Sequence, residues 1–313
     1  MTHPFYFSLM TDNTHHQYNS ISELHSLLNL KKPSHPLVSV INLEEMDTEN
    51  GSTVKSIEYN FYALFLKKNF DGKIKYGHQY YDFDNGVMTF FAPKQRVIIE
   101  DYTPTKLEGW MLIFHPDFLQ GYPITKKIKE YGFFSYATNE ALHVSDKEDD
   151  VISGIMKNLQ TEIEAIIDGY TQDVVISHIE LLLNYCNRFY NRQFITRKKA
   201  SNDLLVRFED LLSGYLQNDK ADKIGIPSVQ YLADKLFISP NYLNDLLKNL
   251  TGQTTQQHIQ NFLINKAKDL LTTTNLSVSE IAYQLGFEYP QSFNKLFKNK
   301  THLTPLEFKQ SFN

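Results

Sequence analysis

Residues 279 to 299 read SEIAYQLGFEYPQSFNKLFKN, and this stretch decides how the last third of the chain folds. Its apolar residues recur at helical spacing on both sides of a break formed by Gly286 and Pro290. Proline suits the first turn of a helix, where its missing N–H is not needed. Glycine suits a turn that needs positive φ. The pattern therefore predicts a short helix, a tight turn and a second helix opened by Pro290. Gln291, Ser292, Asn294 and Lys295 then form a polar cluster on that second helix.

The same pattern occurs a second time upstream. Residues 228 to 249, SVQYLADKLFISPNYLNDLLKN, can be set against residues 277 to 299. Ser228, Val229, Ala233 and Leu236 match Ser277, Val278, Ala282 and Leu285 at an offset of 49. Pro240, Asn244, Leu246, Lys248 and Asn249 match Pro290, Asn294, Leu296, Lys298 and Asn299 at an offset of 50, so one residue was inserted in the turn. Internal duplication of this kind is legible in a single sequence. Each copy has a helix-turn-helix layout, in which the first helix braces and the second can lie in a DNA major groove.

With Leu243, Leu246 and Leu247 turned inward, the outward residues of the first copy are Asn241, Asn244, Asp245 and Lys248. With Phe293, Leu296 and Phe297 inward, those of the second are Gln291, Ser292, Asn294, Lys295 and Lys298. Asn and Gln can hydrogen-bond adenine edges, Asp can accept from cytosine, and Lys can reach guanine or phosphate. A solvated helix face would also be polar, but duplication at fixed spacing favours a reading surface. A connecting helix over 255 to 272 would be roughly 27 Å long at 1.5 Å per residue, close to one DNA turn of about 34 Å once flanking turns are added.

Outward from this region, helices are expected near 203–217, 228–236, 240–250, 255–272, 278–284, 290–300 and 305–311. The stretch 193–202 reads as a basic, polar linker. Residues 37–43, 57–67, 73–83, 87–92, 96–100 and 108–115 are rich in Val, Ile, Phe and Tyr and separated by turn residues, which predicts a β-sandwich or small barrel. Phe61, Tyr62, Phe65, Tyr80, Tyr81, Phe83, Phe90, Phe91 and Trp110 would fill its core, with a few free to line a ligand pocket. Ser145 with Glu148 predicts a capping box, followed by two apolar helices within 145–192. The fold class is thus α+β in two domains, 1–192 and 203–313.

The 313 residues allow two cores. From 201 onward Lys and Arg balance Asp and Glu at eleven each, so the formal net charge of -5 comes from residues 1–200. That balance gives no strongly basic module of the kind that advertises nucleic acid outright. The single cysteine, Cys186, cannot form an internal disulfide, and no CxxC or His-rich spacing suggests a metal. No cofactor is expected. His78, His15, His16 and Cys186 are expected to be structural, with His15 and His16 on a surface loop. No leader sequence or apolar run long enough to span a bilayer is evident, which predicts a cytoplasmic protein with no membrane partner.

The segment IAYQLGFEYPQSFNKLFKNKTHLTPLEFK resembles the signature of the AraC/XylS family of bacterial transcription regulators. The residues that carry the likeness are Ile281, Ala282, Gly286, Phe287, Phe293, Phe297, Lys298, Thr304, Pro305 and Phe308. The resemblance implies that Asn241, Asn244 and Asp245 in the first unit, and Gln291, Ser292, Asn294 and Lys295 in the second, contact DNA. It also implies a cupin-like sensor and dimerisation helices in the first 192 residues, though without the metal-binding HxH pattern after Gly77. Three residues depart from the signature: His302 for a helix-ending glycine, Lys309 for an arginine, and Asp245 where arginine is common. The expected partners are double-stranded DNA, a second copy of the chain, RNA polymerase and a small-molecule effector. The rival readings are an enzyme in the β-rich half, for which no nucleophile–base arrangement or phosphate-binding glycine loop stands out, and a protein-interaction module.

Overall fold

The computed structural model describes residues 15–46, 56–68, 70–76, 79–83, 86–98, 108–136, 140–196, 198–217 and 225–311. His78 lies outside the described residues, as do the side chains of Tyr80, Tyr81 and Phe83. The chain divides into two compact units, Met1–Gln193 and Phe194–Asn313.

The first unit is built on strands β1 (His15–Tyr18), β2 (Val38–Asn42), β3 (Ser56–Tyr59), β4 (Tyr62–Lys68), β5 (Phe70–Tyr76), β6 (Gln79–Phe83), β7 (Val87–Phe91), β8 (Arg96–Ile98), β9 (Glu108–Phe114) and β10 (Leu142–His143). Five of them form an antiparallel sheet in the order β10-β7-β4-β9-β2. A three-stranded sheet runs β1-β3-β8, with β1 parallel to β3, and β5 pairs with β6. The expected barrel is not closed: among the described residues these remain three separate sheets. The segment 57–67, expected as one strand, is two. At Asn60 the backbone N–H donates to Tyr18 O, 3.0 Å, and the chain passes from the small sheet to the large one. The segment 73–83 likewise belongs to two paired strands, β5 and β6.

In β9 every residue from Gly109 to Phe114 is buried, which its unbroken apolar run requires of a strand covered on both faces. On one face, Ile41, Ala63, Phe91, Met111 and Ile113 pack with Tyr18, Tyr59, Phe61 and helix α1 (Ile21–Leu27). Ring centroids on the other face lie 4.5 Å apart for Phe90 and Phe133 and 6.0 Å apart for Phe90 and Tyr190. His16, expected in a surface loop, is instead on β1 opposite Ile57, with its ring 4.5 Å from Tyr18 and a buried Nε2 that has no hydrogen-bond partner.

A short helix α2 (Ile124–Lys127) precedes the two long helices, α3 (Asp146–Glu164) and α4 (Thr171–Thr196). The Ser145 N–H donates to Glu148 Oε2 at 2.9 Å, one half of the expected capping box. Arg192 grips Glu148 through Nε (3.0 Å) and Nη2 (2.6 Å), the bidentate geometry that gives such pairs direction. Cys186 is buried on α4 with Sγ 3.8 Å from Met88 Sδ, and burial pushes its thiol pKa up.

The second unit contains α5 (Lys198–Gln217), α6 (Val229–Leu236), α7 (Pro240–Thr251), α8 (Thr255–Thr273), α9 (Val278–Gln284), α10 (Pro290–Thr301) and α11 (Pro305–Gln310). The stretch 193–202, expected as a solvated linker, is helical on both sides of residue 197, and Gln193, Phe194 and Ser201 are buried. Phe194 anchors it: the ring packs edge-on against Tyr242, 5.2 Å between centroids, and the carbonyl accepts from Ser201 Oγ at 3.1 Å. No helix among the described residues is long and apolar enough to cross a membrane.

Candidate nucleic-acid interface

Each half of the duplication starts with a serine-capped helix. Ser228 Oγ accepts from Tyr231 N ahead of α6, and Ser277 Oγ accepts from Glu280 N ahead of α9, where the Ser277 N–H in turn donates to Glu280 Oε2 at 2.7 Å. A side-chain acceptor at this position satisfies an N–H that the helix itself cannot. The helices end in left-handed residues at equivalent places, Phe237 (φ +59) and Gly286 (φ +86). At Gly286 the glycine is required twice over. A Cβ there would sit 2.7 Å from the Gly225 carbonyl carbon and 2.8 Å from the Ile226 nitrogen, besides the strain of positive φ.

The second helices, α7 and α10, are twelve residues each and begin at Pro240 and Pro290. α7 buries Leu243, Leu246 and Leu247, whereas α10 buries Phe293 and Phe297 and leaves Leu296 half-buried. Both end in a left-handed residue, Gly252 (φ +75) and His302 (φ +64). His302 thus takes the conformation that glycine usually supplies.

The duplication continues beyond residues 249 and 299. Thr254 caps α8 in a reciprocal box with Gln257, and Thr304, fifty residues on, caps α11 in a box with Glu307. Thr251 Oγ1 donates to Leu247 O at 2.7 Å, and Thr301 Oγ1 donates to Phe297 O at 2.8 Å. The repeating unit is therefore three helices, with α8 and α11 as equivalents.

At 19 residues, α8 spans about 28 Å at 1.5 Å per residue. It buries Ile259, Leu263, Ile264, Ala267 and Leu271 and is in contact with α7, α9, α10 and α11. Lys309, the departure from the family arginine, donates from Nζ to Thr274 O (3.3 Å) and Leu276 O (3.0 Å). Its cation satisfies the carbonyls between α8 and α9, a structural post for which lysine suffices.

Seven of the nine residues singled out from sequence are exposed: none of Asn241, Lys248, Gln291, Ser292, Asn294, Lys295 and Lys298 falls below that class. The other two are half-buried. Asn244 Oδ1 accepts the backbone N–H of Thr255 at 3.3 Å, across the joint between α7 and α8. Asp245 is half-buried and its carbonyl accepts from Asn249 Nδ2 at 2.9 Å. Tyr289, absent from that set, opens α10 with an exposed ring and no side-chain cap. Its place immediately before Pro290, the first residue of α10, is the only sequence signal for it. Among the described residues, no group of three or more His, Cys, Asp or Glu is arranged to hold a metal ion.

A family model described as a helix-turn-helix domain matches residues 232–311. The chain is 39% identical over 95 residues to the uncharacterized transcriptional regulatory protein YesN of Bacillus subtilis, covering 29% of this chain and 26% of that one. It is 32% identical over 101 residues to the transcriptional activator RhaS of Escherichia coli, covering 32% and 35%. Among solved structures, the C-terminal domain of the response regulator yesN from Fusobacterium nucleatum is 31% identical, covering 32% of this chain and 96% of that one, with a TM-score of 0.29. The chain spans between about a quarter and about a third of the length of these curated relatives. The matched residues include both halves of the duplication from α6 onward, and they make the C-terminal part of this chain a helix-turn-helix domain similar to those of the transcription regulators named above.

Proposed function

We propose that the chain is a sequence-specific transcription regulator of the cytoplasm, with α7 and α10 entering successive major-groove segments on one face of double-stranded DNA. The observation that carries this reading is the duplicated helix-turn-helix held on α8, with exposed Asn241, Lys248, Gln291, Ser292, Asn294, Lys295 and Lys298 on its second helices. The named relatives are described as regulators of transcription, which supports the same role.

The first unit is read as a cupin-like sensor for a small effector, with α3 and α4 pairing two copies of the chain. Ile166 (94% exposed), Ile167 and Tyr170 between these helices, with Leu181 on α4, leave apolar surface that a second copy would cover. RNA polymerase would be the further partner of a DNA-bound dimer. Binding to the promoter of the chain's own operon, titrated with salt against random DNA of equal length, tests the central claim. Selective binding with a steep salt dependence is expected. Lys298→Ala should weaken all sequences and lower the salt slope by about 1. Equal affinity for promoter and random DNA would sink the assignment.

A further inference from the structure

The two helix-turn-helix units carry asparagine at the same place, Asn244 and Asn294, yet their surroundings differ for a reason that lies in the next helix. Position 255 is threonine, and its backbone N–H is one of the first-turn donors of α8 that no helix carbonyl can satisfy. Asn244 Oδ1 accepts it at 3.3 Å. Position 305, the equivalent in the second unit, is proline. Proline has no N–H, so nothing there calls on Asn294, which stays exposed. Charge follows the same division. α7 carries one lysine and one aspartate, Lys248 and Asp245, whereas α10 carries Lys295, Lys298 and Lys300 with no acid.

We infer that base discrimination is concentrated in the second unit, with Asn294 a specificity-determining residue, while Asn244 is a positioning residue that fixes α7 against α8. This rests on the DNA-reading assignment above. An asparagine reads adenine through both its amide donor and its carbonyl. Asn244 has its carbonyl committed within the fold, and the half-buried Asp245 beside it repels phosphate. The first unit then serves chiefly to clamp the duplex, through Asn241 and Lys248.

The test uses the full chain in selection from a random double-stranded DNA library, alongside thermal unfolding. Asn294→Ala should leave the melting temperature unchanged and lose discrimination at one base position by about tenfold or more. Asn244→Ala should lower the melting temperature by a few degrees while the selected sequence stays the same. Asn244→Asp should restore the melting temperature, because a carboxylate still accepts the Thr255 N–H and suits a helix N-terminus. In a Thr255→Pro background, which removes that N–H at a first-turn position where proline is tolerated, Asn244→Ala should cost nothing further.

The inference is overturned if Asn244→Ala reshapes base preference at an unchanged melting temperature, or if Asn294→Ala leaves every preference intact. It is also overturned if residues 244 and 255 contribute independently to melting. A wild-type chain that enriches no sequence at all would instead remove the DNA-reading assignment, and the claim about Asn294 with it. The coupling between 244 and 255 would still be decided by the melts.

Discussion

Gly286 and Phe237 hold the same place in the two halves, both with left-handed backbones, yet substitutions at them should act with opposite sign. At Gly286 a methyl group meets the backbone of Gly225 and Ile226 below 3.0 Å, and backbone cannot step aside as the end of a side chain can. Gly286→Ala is expected to cost about 2–4 kcal/mol, from left-handed strain plus overpacking. Phe237 is 69% exposed and has little packing to lose. Asparagine tolerates φ near +59 better than phenylalanine does, so Phe237→Asn should stabilise by about 0.5 kcal/mol. Chemical denaturation of both variants checks the pair. A loss of stability in Phe237→Asn would mean that the aromatic ring has packing its exposure does not reveal.

Helix starts show which elements the sequence declares by itself. Ser228, Ser239, Thr254, Ser277 and Thr304 each accept a first-turn N–H, whereas α10 opens on Tyr289 with no such acceptor. Tyr289 already has extended backbone angles, φ -129 and ψ 127, so Tyr289→Ser should install a cap and add about 0.5–1 kcal/mol, read as a higher melting temperature. The capping glutamates also carry a pH signature. Hydrogen bonds to the Ser277 side chain and backbone hold Glu280 below its ordinary 4.5, and bonds to the Thr304 backbone and hydroxyl do the same for Glu307. Carboxylates depressed in the folded state contribute stability above the unfolded value, and it is lost as pH falls through the folded one. Replacing both with glutamine should flatten the fall in melting temperature below pH 4.5 without abolishing the caps. A wild-type acid limb retained in the double variant would place that dependence elsewhere. Such boxes are legible because donor and acceptor lie three residues apart. The bond from Asn244 to Thr255 crosses eleven residues and a turn, and at α7 a committed asparagine and a reading one look identical in the sequence.

At the scale of the whole molecule, legibility follows the range of the interactions. The second unit is mostly local: prolines, caps and a repeated 3.6-residue pattern place its helices, and the fifty-residue spacing relates them. In the first unit most strands were visible as apolar runs, though β1 and β10 were not, and 57–67 and 73–83 each read as one strand where the fold has two. The partners of the strands were not visible, because pairing such as β1 with β3 joins His16 to Ile57 across forty-one residues that carry no local mark of it. Lys67 shows what such placement does to chemistry. On β4 it shares a face with Ala63 and Phe65, by strand alternation, and faces Val87 and Gly109 in the ladder. Its ammonium lies 5.3 Å from the centre of the Phe65 ring, and burial pulls its pKa from 10.5 down to about 8. The unfolded chain therefore takes up the proton first as pH falls from 10.5, and the stability that the neutral amine allows is lost as pH drops through 8. Methionine keeps the stem and removes the charge. Lys67→Met should melt above wild type at pH 7, and the two should converge as pH rises toward 10.5 in unfolding followed by a probe in the first unit. A difference that stays constant from pH 7 to 10.5 would show that the ammonium is already solvated on that face.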